Sequence, residues 1–137
     1  MKKRAPEESI SRLLDTIGKS PRILILMAIG EGEACVCHLE AILGFKQAYI
    51  SQNLMALRKA KLLQSRREGR FVFYKVSDHR LLILIENAGE LAGIPEVELQ
   101  ALDHSSQLPN CCCPNCVGDL EVTPILVDIT KKSVKVA

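Results

Sequence analysis

Four helices, a β-hairpin and a closing helix, in the order α-α-α-α-β-β-α, are the fold class that this 137-residue sequence predicts. Three observations lead there. Apolar residues recur at helical spacing before residue 62 and again over about 78–92. Two short helical patterns are split by Gly44-Phe45-Lys46, the spacing of a helix-turn-helix. The turn signal Glu68-Gly69 is flanked by Leu63 to Arg67 and by an alternating stretch from Arg70 to Val76, the pattern of a hairpin.

Each element has its own local reason. Ile10, Leu13, Leu14 and Ile17 predict an amphipathic helix over 8–18, closed by Gly18. Ser20-Pro21 reads as an N-cap with proline in the first turn, opening a second helix. Its run from Ile23 to Ile29 is apolar all round, as for a helix buried at the centre, and Gly30 and Gly32 end it. A short helix over 36–43 stops at Gly44. Gln47 to Leu62 forms the longer helix, with Ile50, Leu54 and Leu57 on one face and Gln47, Tyr49, Ser51, Gln52, Met55 and Lys59 on the other. In the hairpin, Val72, Tyr74 and Val76 alternate with Phe71, Phe73 and Lys75, as in a half-buried strand. The last helix carries Leu81, Leu82, Leu84, Ile85, Ala88 and Leu91. Beyond Gly93-Ile94-Pro95 a further helical turn is expected over 96–102, then a loop around Pro109 and Pro114. Residues 125–129 read either as a strand or as an unstructured end. The domain organisation is thus 1–93 as one folded unit and 94–137 as a cysteine-bearing tail.

Composition narrows the function. Apolar residues make up 47% and aromatics 4% with no Trp, so the core is built of Leu, Ile, Val and Ala. A domain of this size is marginally stable alone and gains from dimerising. No stretch reaches the ~18 uncharged apolar residues of a membrane span. The start, Met1-Lys2-Lys3-Arg4, leads into no apolar signal core, so a cytoplasmic location with reduced thiols is expected. The three His show no catalytic spacing, and neither a nucleophile elbow nor a phosphate-binding glycine loop occurs. An enzyme acting on a small organic substrate is therefore not expected. Between Arg58 and Arg80, eight basic side chains face only Glu68 and Asp78 in a chain of net charge +2. Such a local block suits a polyanion.

The six cysteines carry the remaining signal. Cys35 and Cys37 precede the helix-turn-helix, and Cys111, Cys112, Cys113 and Cys116 crowd the tail. In an intact helix, residues two apart point about 200° from one another. Either Cys35 precedes the first helical turn, or binding distorts the helix start. An all-sulfur site selects As(III), Sb(III), Cd(II), Pb(II), Hg(II), Cu(I) and also Zn(II). His38 is a weaker candidate for a borderline ion. Two alternatives stand beside ion sensing: a zinc clip ordering the tail, and reversible thiol oxidation.

Ser20-Pro21-Arg22-Ile23-Leu24, Cys35-Val36-Cys37, Ile50-Ser51-Gln52-Asn53-Leu54 with Leu57-Arg58-Lys59-Ala60, and Arg66-Arg67-Glu68-Gly69-Arg70 with Tyr74 together resemble the ArsR/SmtB family. The resemblance covers roughly residues 9–92. It implies a dimeric winged helix-turn-helix repressor that releases double-stranded operator DNA on sensing a metal or metalloid. The family usually has His where this chain has Asn53, and Gly where it has Lys61. Arsenic-sensing relatives often place a third Cys where this chain has Glu40, so the missing ligand is expected from the tail. Zinc sensors of the family often use His and carboxylates on the last helix. Here Asp78, His79, Glu86 and Glu90 lack the expected pair of histidines.

A recognition helix in the major groove meets base edges through its N-terminal residues, here Gln47, Ala48, Ser51 and Gln52, with Asn53 available to a base or phosphate. Arg58, Lys59 and Lys61 read as phosphate contacts, and Arg66, Arg67 and Arg70 as a wing touching the backbone or minor groove. Ile10, Leu13, Leu14 and Ile17 with Leu81, Leu84, Ile85 and Leu91 are the expected dimer interface. The inducer expected first is As(III), or else Cd(II) or Pb(II), held by Cys35, Cys37 and tail thiols.

Overall fold

The computed structural model describes residues 3–103. The expectations for the tail, Cys111 to Cys116 and residues 125–129 included, lie outside the described residues. The elements are α1 (Pro6–Ile17), α2 (Ser20–Ile29), β1 (Glu33–Cys35), α3 (Val36–Leu43), α4 (Gln47–Lys59), β2 (Leu63–Glu68), β3 (Phe71–Val76), α5 (Arg80–Leu91) and α6 (Glu96–Gln100). This is the winged helix-turn-helix expected, with two additions to its core order. The turn expected after Pro95 is α6, and a three-residue strand, β1, was not foreseen. β1 joins the hairpin as an antiparallel neighbour, giving the sheet order β1-β3-β2.

The core is aliphatic. Ile25, Leu26 and Ile29 of α2, Leu39 of α3 and Ile50, Leu54 and Leu57 of α4 are at most 1% exposed. Burial of each such side chain stabilises by roughly 2 kcal/mol. α2 runs through the middle as its apolar circumference predicts. Lys19 rather than Ser20 holds its N-cap position, with no side-chain cap bond, and Pro21 lies within the first turn, where its missing N–H costs nothing. At the other end of the core, Asp78 starts α5: its carboxylate accepts from the Arg80 main-chain N–H at 2.9 Å and from the Arg80 guanidinium. The guanidinium bonds, then the main-chain bond, hold the Asp78 carboxyl down at about 2.

Two expectations about faces change. Phe73 is 1% exposed although the alternation placed it opposite Val72, Tyr74 and Val76. Cys35, Cys37 and Phe71 pack against Phe73 and the Arg66 guanidinium lies over its ring, so both faces of β3 are partly buried. In the expected dimer face, Ile17, Leu81 and Ile85 are buried within the chain and belong to its core, while Ile10, Leu14 and Leu91 are exposed at 58%, 48% and 90%. Among the described residues no helix is long and apolar enough to cross a membrane.

A polar brace runs through this apolar interior. Asn53 of α4 is 7% exposed. Its carbonyl oxygen accepts from Arg22 Nε at 3.0 Å, and its amide donates to the Tyr49 carbonyl at 2.9 Å. Arg22 Nη1 donates in turn to the Thr16 carbonyl at 2.9 Å, in the last turn of α1. One side chain of α2 therefore ties α1 to the middle of α4.

α4 ends in a Schellman motif. Leu62 N–H reaches the Leu57 carbonyl at 3.0 Å and Lys61 N–H the Arg58 carbonyl at 2.9 Å. The motif forces Lys61 to φ 65°, the left-handed region, whereas α5 closes the same way with Gly93 at φ 80°. Lys61→Gly is therefore expected to raise stability by about 1 kcal/mol, visible as a higher urea midpoint. An unchanged or lower midpoint would show that the Lys61 backbone stores no strain. Asn53→Leu removes the acceptor of a half-buried guanidinium and should destabilise by about 2 kcal/mol in the same measurement. A loss below a few tenths would rule out the brace.

Candidate DNA interface and thiol site

The helix-turn-helix is α3 and α4, packed on each other and on α2. Gly44 makes the turn possible: it sits at φ 74° and its N–H closes α3 on the Glu40 carbonyl at 2.9 Å. The apolar face of α4 is consumed by the core, so its other face is presented outward. Gln47, Ala48, Tyr49, Gln52, Met55, Arg58 and Lys59 are exposed and Ser51 is half-buried. The Tyr49 ring packs edge-on against Phe45 of the turn, with centroids 5.4 Å apart. Arg58 and Lys59 occupy the last turn, where cations also complement the helix dipole. Asn53 departs from the expectation: it faces inward, and its amide is spent on Arg22 and Tyr49.

The wing is β2 and β3 joined by Gly69-Arg70. Arg67 and Arg70 are exposed at its tip, and the Arg70 guanidinium lies 5.4 Å from the Phe71 ring centroid. Arg66, expected on DNA, is held instead by two carboxylates. Its Nε and Nη2 donate to Glu33 at 2.8–3.1 Å and its Nη1 to Glu68 at 3.0 Å. Those bonds raise its pKa further above an already high value, so its charge is permanent and locally neutralised.

Cys35 precedes the first turn of α3, which removes the geometric conflict between residues two apart in a helix. It is the N-cap residue, extended at φ −93°, ψ 170°, and its sulfur accepts the His38 main-chain N–H at 3.4 Å. With the helix beginning at Val36, Cys37 Sγ comes within 3.1 Å of Cys35 Sγ. That is beyond the ~2.05 Å of a disulfide and suits two thiols sharing a weak hydrogen bond. Cys35 is buried and Cys37 half-buried. Burial lowers the His38 pKa by disfavouring the imidazolium.

Cys35 and Cys37 line a cleft of about 400 Å3 with Glu40 of α3, Gln47 of α4, and Arg70, Phe71 and Tyr74 of the wing. Among the described residues no three His, Cys, Asp or Glu side chains come together as a metal-ligand group. Two thiols are the soft donors brought together here, a donor type that suits thiophilic ions. The sequence reading missed Arg22, Glu33 and Phe73. An arginine amid an apolar helix hinted at Arg22, but nothing linear links Glu33 to Arg66, because β1 was not foreseen.

Comparison with known proteins agrees with this architecture. The family model described as "Bacterial regulatory protein, arsR family" matches residues 19–65. The biofilm growth-associated repressor of Agrobacterium fabrum is 35% identical over 99 residues, covering 72% of this chain and 83% of that protein. The arsenical resistance operon repressor of Escherichia coli is 30% identical over 109 residues, covering 79% and 89%. Among solved structures, HlyU from Vibrio cholerae superposes with a TM-score of 0.58 at 28% identity, covering 65% of this chain and 97% of that one. This chain belongs to the ArsR/SmtB family of winged helix-turn-helix transcriptional repressors, not to a class of enzymes.

Proposed function

We propose that this chain is a cytoplasmic, homodimeric repressor that holds operator DNA through α4 and the wing and releases it when a thiophilic ion is captured at Cys35 and Cys37. The observation that carries the reading is the shared cleft, in which both cysteines, the first residue of α4 and the wing residue Arg70 line one space. Two sulfur ligands about 2.3 Å from a tetrahedral centre lie about 3.8 Å apart. An ion drawn between sulfurs now 3.1 Å apart must part them, at the cap of the helix against which α4 packs.

On the DNA side, Gln47, Ala48, Ser51 and Gln52 read base edges. Arg58, Lys59, Arg67 and Arg70 neutralise phosphates. Asn53 is an internal brace, for the reason given above. The second copy docks on the exposed apolar side of α1 and α5. Ile10, Leu14 and Leu91 are exposed there, beside a groove of about 510 Å3 lined by Leu14, Leu84, Ala88 and Leu99. A two-fold dimer presents two reading helices to a near-palindromic operator. The ion is As(III), or Cd(II) or Pb(II), with Sb(III) and Zn(II) as further thiolate binders. Cys111, Cys112, Cys113 and Cys116 supply the ligands that the described residues lack. A reducing cytoplasm keeps the thiols available. The coupling typical of such release, about 1–3 kcal/mol, is a 5- to 150-fold change in DNA affinity.

The 3.1 Å separation also favours a second reading, oxidation of the pair. A peroxide would take two electrons and two protons from the thiols, leaving a disulfide and water. Titration of the protein on an operator selected from random duplexes separates the two. Release by As(III), Cd(II) or Pb(II), with a sulfur-to-metal charge-transfer band and loss of release in Cys35→Ser and Cys37→Ser, is the expected result. Release by peroxide alone, reversed by a dithiol, would replace ion capture with redox sensing. Affinity should also fall steeply with salt, and Arg67→Gln or Arg70→Gln should each make the log–log slope shallower by about one. A slope unmoved by either substitution would take the wing off the DNA.

A further inference from the structure

Across the sheet, Cys35 of β1 pairs with Phe73 of β3, and Phe73 pairs on its other side with Arg66 of β2. Residues directly opposite in antiparallel strands project to the same face, so these three form one row from thiol to wing. Cys35 and Phe73 form a small buried cluster of their own, apart from the main core, with Cys37 and Phe71 packed against it. The Arg66 guanidinium carbon lies 4.6 Å from the centroid of the Phe73 ring. Glu33, two residues before Cys35 and therefore on the same face of β1, takes Arg66 Nε and Nη2 in a two-pronged bond. Besides its backbone pairing to β3, the strand that ends in Cys35 is thus fastened to the wing by packing on the Phe73 ring and by an ion pair to β2.

We infer that Glu33 and Arg66 are positioning residues that transmit occupancy of the thiol pair to the wing, Arg66 serving as a clamp and not as a phosphate contact. β1 is only three residues long, so a displacement of Cys35 cannot be absorbed between it and Glu33. When the sulfurs part around an ion, Glu33 moves with its strand, Arg66 follows Glu33 and Phe73, and the wing tip bearing Arg67 and Arg70 is re-aimed. This inference rests on the ion-sensing reading of Cys35 and Cys37. It adds the mechanical link between sensor and wing, which adjacency in the cleft alone does not supply.

The test uses the full chain, the selected operator and Cd(II) as probe, comparing wild type with Glu33→Gln, Arg66→Lys and the swap Glu33→Arg/Arg66→Glu. Three quantities are read: operator affinity without Cd(II), the charge-transfer band at saturating Cd(II), and the ratio of operator affinities without and with Cd(II). Glu33→Gln should keep the first within about threefold and keep the band, while the ratio drops by at least threefold. Arg66→Lys keeps the charge but loses the planar fork, so its ratio should drop likewise. The swap rebuilds the ion pair without the Arg66–Phe73 contact and should recover part of the lost ratio, which also excludes misfolding as the cause of the single-variant losses. If Arg66 were a phosphate contact alone, Arg66→Lys would keep the wild-type ratio, and that result overturns the inference. A wild-type ratio in Glu33→Gln overturns it equally, with ion sensing intact. Absence of both band and release in wild type would instead remove the sensing reading and the clamp together.

Discussion

The backbone change at Cys35, from extended strand to helix within one residue, is the constraint on which the rest of the molecule depends. It ends β1 and caps α3 at once. Had the helix begun a turn earlier, the two sulfurs would diverge around its axis and share nothing. Because it begins at Val36, they meet at 3.1 Å. The same residue keeps its strand pairing to Phe73, so the thiol pair is part of the sheet and not an appendage to it. The sheet in turn fixes the wing, and α3 fixes α4. The chemistry of two thiols is thereby placed at the junction of the two elements expected to touch DNA.

What surrounds that junction is economical. One apolar helix, α2, fills the centre, and the other elements lay aliphatic faces on it. A core of this kind specifies little about rotation of one helix over another, since Leu and Ile surfaces slide at small cost. The Arg22–Asn53 pair adds direction, because a half-buried guanidinium bonded to a buried amide is satisfied in one arrangement only. The strained Lys61 backbone reads differently. The stop after α4 is needed to launch β2 toward the wing, and the chain accepts an unfavourable conformation there while keeping a cation at the end of the reading helix.

Most of the fold was legible because its signals are local. Helical spacing in α1, α2 and α4, glycine between α3 and α4, and turn chemistry at Glu68-Gly69 each depend on neighbours in sequence. β1 was not legible: three residues, Glu33-Ala34-Cys35, carry no periodicity, and they become a strand only because β3 offers an open edge. Everything that depends on β1 was hidden with it, including the burial of Phe73 and the capture of Arg66 by Glu33. Asn53 illustrates the opposite failure. A polar residue in the reading helix looked like a DNA contact, but helical phase places it between Ile50, Leu54 and Leu57, on the inward side. Of the two geometries allowed for Cys35 and Cys37, the one adopted has Cys35 ahead of the first helical turn.

The positions of the tyrosines carry a practical corollary. The chain has no Trp and only two Tyr, so its near-ultraviolet emission arises almost wholly from Tyr49 and Tyr74. Tyr49 is exposed on α4, and Tyr74 lines the cleft shared by Cys35 and Cys37. The two chromophores thus stand in separate surroundings, one on the outward face of α4 and one beside the thiol pair, so unlabelled protein can report optically on each place independently.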